Sequence, residues 1–246
     1  MLRVWGPLVL CLGLGCGPGV AQETTPAPAS TSTPAATGGM NLDHAEWAVD
    51  LEKRHAELIK RNGPGTDAAL RDKLLAMGEE DQAARGMVHG QPVDKDKLVL
   101  AKNMNEIDAR MTAELKEIVA RHGWPTIALV GYKASNAAML VLTHSSDHAW
   151  QRSMLPTLER LAAKGKIDGS ALALVVDKEL VSEGKLQRYG TQFKEVSGQM
   201  EMFAVEDPEG LEARRASVFL MPIKAYEEIL EQMYHLKVSD QVVEPK

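Results

Sequence analysis

The stretch that decides the fold runs from His122-Gly123-Trp124-Pro125 through Ala137-Ala138-Met139-Leu140-Val141-Leu142 to Thr143-His144-Ser145-Ser146-Asp147-His148. Apolar residues from Ala137 to Leu142 cover nearly the whole circumference of a helix. Such a helix belongs in the middle of the domain, touched on most sides. Ser135 or Asn136 is its expected cap and His144 its expected end. The buried segment therefore delivers two histidines and an aspartate at its polar end. Gly123 is the expected C-cap of the helix before it, and Pro125 prevents that helix from continuing. Trp124, between them, is an expected core anchor.

Outward from this stretch, helical periods dominate. Asn41 to Arg61 carries an apolar side through Leu42, Ala45, Val49, Leu58 and Ile59, and Asn62-Gly63-Pro64-Gly65 stops it. His44 and His55, set among charged residues, read as solvated surface histidines. A second helix, capped by Thr66 or Asp67, runs to about Arg85 on a stripe of Leu70, Leu74 and Met77. The same stripe continues through Asp81 and Arg85. An acid and a base four apart can pair, and charges on a buried face are costly unless they do. The two read either as a structural ion pair or as a site-lining pair beside Gln82. Gly86 to Pro92 is an expected loop, and Asp94 is expected to cap a long helix to Arg121. Its stripe is Leu100, Met104, Ile107, Met111, Leu115 and Ile118.

Past the central helix, one through Trp150, Met154, Leu158 and Leu161 meets Pro156, a kink or a restart. Asp168 or Ser170 opens another to about Val181, in which Asp177 again interrupts an apolar stripe. Gln187 to Phe193 reads as a strand or extended loop, Ser197-Gly198 as a turn, and Met200 to Val205 as a second strand. A helix opening at Asp207-Pro208 carries Arg214 and Arg215, and Pro222 breaks it. Ile223 to Leu236 is the last helix, before an expected frayed tail over 239–246. The expected fold is mainly α: roughly seven helices in a single domain over 41–238, with one late β-hairpin.

The N-terminus reads as an export signal over 1–21. Arg3 is its positive end, Leu8 to Leu14 its apolar core, and Gly19-Val20-Ala21 its cleavage site. Both cysteines, Cys11 and Cys16, fall inside it, which leaves the expected mature domain without disulfide or thiol nucleophile. Cys16 is also the candidate lipid-anchor residue, the alternative to simple periplasmic or secreted export and the one route to a membrane. A Pro/Thr/Ala-rich tract follows and reads as a disordered linker over 22–40. The net charge of −6 argues against a nucleic-acid partner.

The chemistry-bearing residues are few. His144 and His148 lie four apart and can share a zinc ion on one helix face. His-x-x-Asp-His also resembles an inverted zinc-protease motif with Asp where Glu belongs. No second carboxylate motif accompanies it, and Ser145-Ser146-Asp147 can instead break the helix and cap the next. The catalytic alternative is a His144–Asp147 pair in which the carboxylate orients the imidazole as general base. Tyr189-Gly190-Thr191-Gln192 is a dense polar cluster able to hydrogen-bond a ligand, or a plain hairpin edge. Arg214 and Arg215 can clamp a carboxylate or phosphate, or line a solvated face. Met200 and Met202 are possible soft copper ligands and more commonly core filler. No metal and no cofactor is assigned.

Several of these motifs occur in a specific order. It runs Asp81-Gln82-x-x-Arg85, Gly123-Trp124-Pro125, His144 with Asp147, Asp177, Gln187-x-Tyr189-Gly190-Thr191-Gln192, and Arg214-Arg215 followed by Leu220. The order resembles a bacterial family of domains of unknown function whose signature is Tyr-Gly-Thr-Gln, over about Leu70 to Tyr226. The resemblance implies His144 and Asp147 as motif positions and leaves His148 outside. The chain departs at Lys178, where the family has Arg, and at Phe219, where Gly precedes Leu. The family implies no reaction. The expected site joins a catalytic set of His144, Asp147, Tyr189 and Asp81 to a ligand-binding set of Gln82, Arg85, Asp177, Gln187, Thr191, Gln192, Arg214 and Arg215. The expected function is an exported hydrolase or lyase acting through a His–Asp pair. The alternative is a non-catalytic extracytoplasmic domain that binds a small polar ligand or a peptide.

Overall fold

The computed structural model describes residues 46–88, 91–92 and 100–245. The export signal, the linker, His44 and the Asp94 cap lie outside the described residues. The fold is a mostly helical single domain with a small late sheet, as expected. Its helices are α1 (Glu46–Asn62), α2 (Ala68–Ala84), α3 (Met104–His122), α4 (Ile127–Val130), α5 (Tyr132–His144), α6 (His148–Ala163), α7 (Gly169–Ser182), α8 (Leu211–Ser217) and α9 (Ile223–Tyr234). Its strands are β1 (Met87–Val88), β2 (Gln91–Pro92), β3 (Phe193–Val196), β4 (Gln199–Phe203) and β5 (Lys237–Val243).

The apolar run does place α5 at the centre. It packs against α2, α3, α4 and α7. Met139, Val141 and Leu142 join Leu74 and Met77 of α2, Met111 and Leu115 of α3, Leu158 of α6 and Val175 of α7 in one core. The α2–α5 contact is close because Gly78 faces Ala137: a Cβ at Gly78 would lie 2.9 Å from the Ala137 Cβ. Trp124 is buried in the same core. A smaller core forms where Phe193 and Met200 of the sheet meet Met221, Tyr226 and Leu230 around α9.

Several boundaries differ from the sequence reading. The helix expected from Asp94 begins at Met104. Residues 100–103 are non-helical, because the Ala101 N–H donates to the Ala84 carbonyl (2.7 Å) and ties the chain to the end of α2. Leu100 is accordingly exposed. Within the expected loop at Gly86 to Pro92, β1 and β2 pair antiparallel. α5 starts at Tyr132, after Gly131 (φ 82°), rather than at a Ser135 or Asn136 cap. α6 runs through Pro156 without a restart. α8 begins at Leu211, after a turn in which the Leu211 N–H reaches the Pro208 carbonyl (3.3 Å).

The hairpin is present, with Val196 opposite Gln199 across the Ser197-Gly198 turn. Its first strand starts only at Phe193, and Gln187 to Gln192 is a loop. The tail expected to fray from 239 instead continues β5, which pairs parallel with β4 (Gln199 opposite Lys237, Phe203 opposite Val243). Parallel pairing needs a long crossover between strands. α8 and α9 supply it.

Candidate functional site

The stripe-breaking acid of α2 meets the end of α5. Asp81 is buried, and its Oδ1 lies 2.6 Å from His144 Nδ1 and accepts from Arg85 Nη1 at 3.0 Å. Its Oδ2 accepts from Gln82 Nε2 at 3.1 Å. Arg85 then turns its second nitrogen to Asp108 of α3, Nη2 donating to both carboxylate oxygens at 3.0 and 2.9 Å. A buried carboxylate costs several kcal/mol unless such donors surround it. The result is a chain Asp108–Arg85–Asp81–His144 across α2, α3 and α5. The His144 side chain is only 6% exposed. With Nδ1 engaged by Asp81, any proton His144 exchanges with another molecule passes through Nε2.

Asp81, not Asp147, is therefore the carboxylate that orients His144. Asp147 is the N-cap of α6: its Oδ1 accepts from the Trp150 N–H at 2.9 Å, and Oδ2 pairs with Lys116. The Lys116 ammonium and the Trp150 N–H hold this carboxyl below its usual range, and the His148 charge adds to the effect. His148 is also no bystander. Its Nδ1 lies 2.6 Å from Oε1 of buried Glu179, whose Oε2 accepts from Arg152 Nη1 at 3.1 Å. Next to Glu179 on α7, Lys178 donates to the Thr143 carbonyl at 2.5 Å. Gln151, fully buried, donates to the Leu142 and Thr143 carbonyls at 2.6 and 3.3 Å. The turn between α5 and α6 is thus fixed from both α6 and α7.

A second network organises the Tyr-Gly-Thr-Gln loop. Asp177 of α7 is fully buried and accepts from the N–H groups of Arg188 (2.7 Å), Tyr189 (3.0 Å) and Thr191 (2.9 Å), and from the Thr191 hydroxyl (2.9 Å). Burial pushes its carboxyl up, and these donors pull it back. Arg215 takes the opposite side of the loop, donating to the carbonyls of Tyr189 (2.6 Å) and Gly190 (3.3 Å) and, through Nε, of Met221 (2.8 Å). Its guanidinium is wholly buried, and burial lowers its pKa. Gln187 closes a ring with Gln192, donating to its carbonyl (3.1 Å) and accepting from its N–H (2.9 Å). The Gln192 amide donates to the Thr191 hydroxyl at 3.2 Å. Arg214 donates to the Arg188 carbonyl (2.9 Å) and to Asp207 (2.8 Å). Burial raises the Tyr189 hydroxyl pKa while the adjacent Arg188 lowers it. These side chains direct their hydrogen bonds at the loop's own backbone.

The expected residues thus form two groups with different partners. Asp81, Gln82, Arg85 and His144 meet across α2 and α5. Asp177, Gln187, Tyr189, Thr191, Gln192, Arg214 and Arg215 meet between α7 and α8. α7 carries both, with Asp177 serving the loop and Lys178 and Glu179 serving the α5–α6 turn.

A third imidazole–carboxylate pair lies elsewhere. His55 of α1, read from the sequence as a surface histidine, places Nε2 3.1 Å from Asp168 Oδ2, off line for a hydrogen bond. Tyr132 donates to the same oxygen at 2.6 Å, and Ser170 reaches Oδ1 with its N–H (2.8 Å) and hydroxyl (2.6 Å). The His55 ring stacks on Phe219 at 5.2 Å, a non-glycine residue held at φ 66°. Among the described residues no group of three or more His, Cys, Asp or Glu is placed to hold a metal ion.

A family model matches residues 68–239. The chain belongs to a family of unknown function, DUF6624. No curated protein and no solved structure matches it. The DUF6624 segment opens at the first residue of α2 and takes in both polar networks. α1 and its His55 precede it. Within that segment the sequence reading missed Asp108 and Glu179. Both carried the signal that exposed Asp81. Asp108 falls between Met104 and Met111 on the α3 stripe, and Glu179 continues Leu172 and Val176 on α7.

Proposed function

We propose that this chain is an exported hydrolase that cleaves an uncharged carboxylic ester, with His144 as general base and Asp81 as the carboxylate that orients it. The observation that carries the reading is the buried chain Asp108–Arg85–Asp81–His144. Arg85 is shared between Asp81 and Asp108, one guanidinium against two carboxylates, and the His144 ring is the further group that Asp81 holds. The Asp81 carboxylate against Nδ1 orients the imidazole, the arrangement general base catalysis requires. Water is the nucleophile, because the mature sequence offers no thiol and no serine elbow.

The substrate class follows from charge. Arg85, Lys116 and Arg152 are each paired with a carboxylate, so the site offers these cations to no phosphoryl dianion. The Lys178 ammonium, which donates to the Thr143 carbonyl, sets a positive charge at the end of α5, and that favours negative charge developing on a single carbonyl oxygen. Export rests on the N-terminal sequence. Among the described residues no helix is long and apolar enough to cross a membrane.

The test is ester turnover by the mature chain, using p-nitrophenyl acetate and ethyl acetate, with product acid followed by titration. His144→Gln and Asp81→Asn are expected to lower turnover about 100-fold or more while retaining the circular-dichroism spectrum of the wild type. Turnover unaffected by His144→Gln, or no wild-type turnover of either ester, defeats the proposal.

A further inference from the structure

We infer that His148 is the second proton-transfer residue of this site, the general acid that protonates the departing alcohol. The inference rests on the ester-hydrolase reading above. It comes from a repeated construction: at each end of the α5–α6 turn stands a histidine whose Nδ1 lies 2.6 Å from a buried carboxylate, His144 on Asp81 and His148 on Glu179. In each case the carboxylate also holds an arginine, Arg85 or Arg152.

Glu179 is buried on α7, and Arg152, which pairs with it, also reaches Glu183 at 3.5 Å. The His148 imidazole is a further partner of the Glu179 carboxylate, and its ring carries a second nitrogen that can hold a proton. Its side chain is 42% exposed, and among the described residues Glu179 is its hydrogen-bond partner. With Nδ1 held, Nε2 is the nitrogen open to a substrate. The backbone that joins the two histidines is held in place, because Gln151 and Lys178 both bind the carbonyls at the end of α5.

The reaction then balances within the pair. His144 Nε2 accepts a proton from water as the water oxygen bonds to the carbonyl carbon and the carbonyl electron pair moves onto its oxygen. That oxygen re-forms the double bond, the bond to the alcohol oxygen breaks, and the alcohol oxygen takes the proton from His148 Nε2. Acid and alcohol leave. His144 has gained one proton and His148 lost one, and exchange with solvent restores both. Glu179 is a positioning residue in this scheme.

Leaving-group dependence separates the two histidines. p-Nitrophenoxide departs without a proton, whereas ethoxide requires one. His148→Gln and His148→Asn are expected to hydrolyse p-nitrophenyl acetate within about 3-fold of wild type and ethyl acetate about 100-fold more slowly. His144→Gln is expected to lose both. Glu179→Gln is expected to show the His148 pattern in weaker form, with a displaced alkaline limb of the pH–rate profile for ethyl acetate. Equal slowing of both esters in the two His148 variants, or no effect on either, overturns the inference and leaves the hydrolase reading standing. A wild type inactive on both esters overturns both.

Discussion

Replacing Asp177 by asparagine tests how the Tyr-Gly-Thr-Gln loop is held. Every contact to this carboxylate comes from a donor: three backbone N–H groups and one hydroxyl. A protonated acid would have no acceptor for its hydrogen, so the ionised form fits the surroundings in spite of its burial. Asparagine keeps one oxygen, which Arg188 and Tyr189 can still use, and presents an NH2 group to the Thr191 N–H. The Thr191 hydroxyl can rotate to accept from it, but the N–H cannot. One orphaned buried N–H costs about 1–3 kcal/mol, and losing charge assistance on the remaining bonds adds about 1 kcal/mol. Asp177→Asn is therefore expected to destabilise by about 2–4 kcal/mol, a fall in Tm of roughly 5–15 °C for a domain of this size.

Urea denaturation followed by circular dichroism at neutral pH measures it. The pH dependence has a definite sign. Burial raises the folded-state pKa, so the folded chain keeps this proton to higher pH than the unfolded chain. The Asp177 contribution therefore decreases as pH rises from about 4, the unfolded value, and levels off once the folded group ionises. An Asp177→Asn variant as stable as wild type at neutral pH refutes the reasoning, because asparagine mimics a protonated carboxyl and only that form would make the exchange free.

Asp168 should behave in the opposite sense. Burial raises its carboxyl, but His55, Ser170 and Tyr132 outweigh burial and leave it below the usual range. Its contribution is then present above about pH 4 and lost as pH falls through the folded value. The stability gap between wild type and Asp168→Asn, about 1–3 kcal/mol at pH 7, should shrink toward pH 3, as read from urea midpoints; a gap that widens is the contrary result. Gly78→Val is expected to push α2 from Ala137 and cost about 2–4 kcal/mol in thermal denaturation, despite the better helix propensity of valine. A neutral result would mean the α2–α5 seam yields freely. Arg215→Lys keeps the charge but not the fork that reaches three carbonyls, and should lower stability by about 2–3 kcal/mol in the same assay.

The sequence made legible those features that a helical period can carry. The saturated run from Ala137 to Leu142 located the central helix, and the charges interrupting the α2 and α7 stripes located Asp81 and Asp177. Periodicity says which side of its own helix a residue faces, and nothing of what faces it from another. His144 was therefore given its sequence neighbour Asp147, when its partner comes from α2. Glu179 and Asp108 interrupt their stripes in the same way, each set among apolar positions that dominate the period of its helix. His55 sits in a charged stretch that looks solvated until α1 lies against Asp168. β5 has no buried face to advertise it. Lys237 to Val243 is held by backbone pairing to β4, an interaction that side-chain pattern does not encode.

That last strand sets an order on the folding of the chain. β3 and β4 are finished by residue 203, yet a two-stranded hairpin is marginal alone, and β4 leaves one edge open until β5 arrives. Between them come α8 and α9, whose Met221, Tyr226 and Leu230 form the other wall of the hairpin's core. A chain emerging residue by residue from a ribosome can assemble the α2–α7 body early. The sheet, and the α9 wall against it, wait for the stretch ending at Val243 to clear the exit. A chain stopped before Lys237 should expose the open strand to other chains, so its fault would show as aggregation of newly made protein rather than as loss of helix.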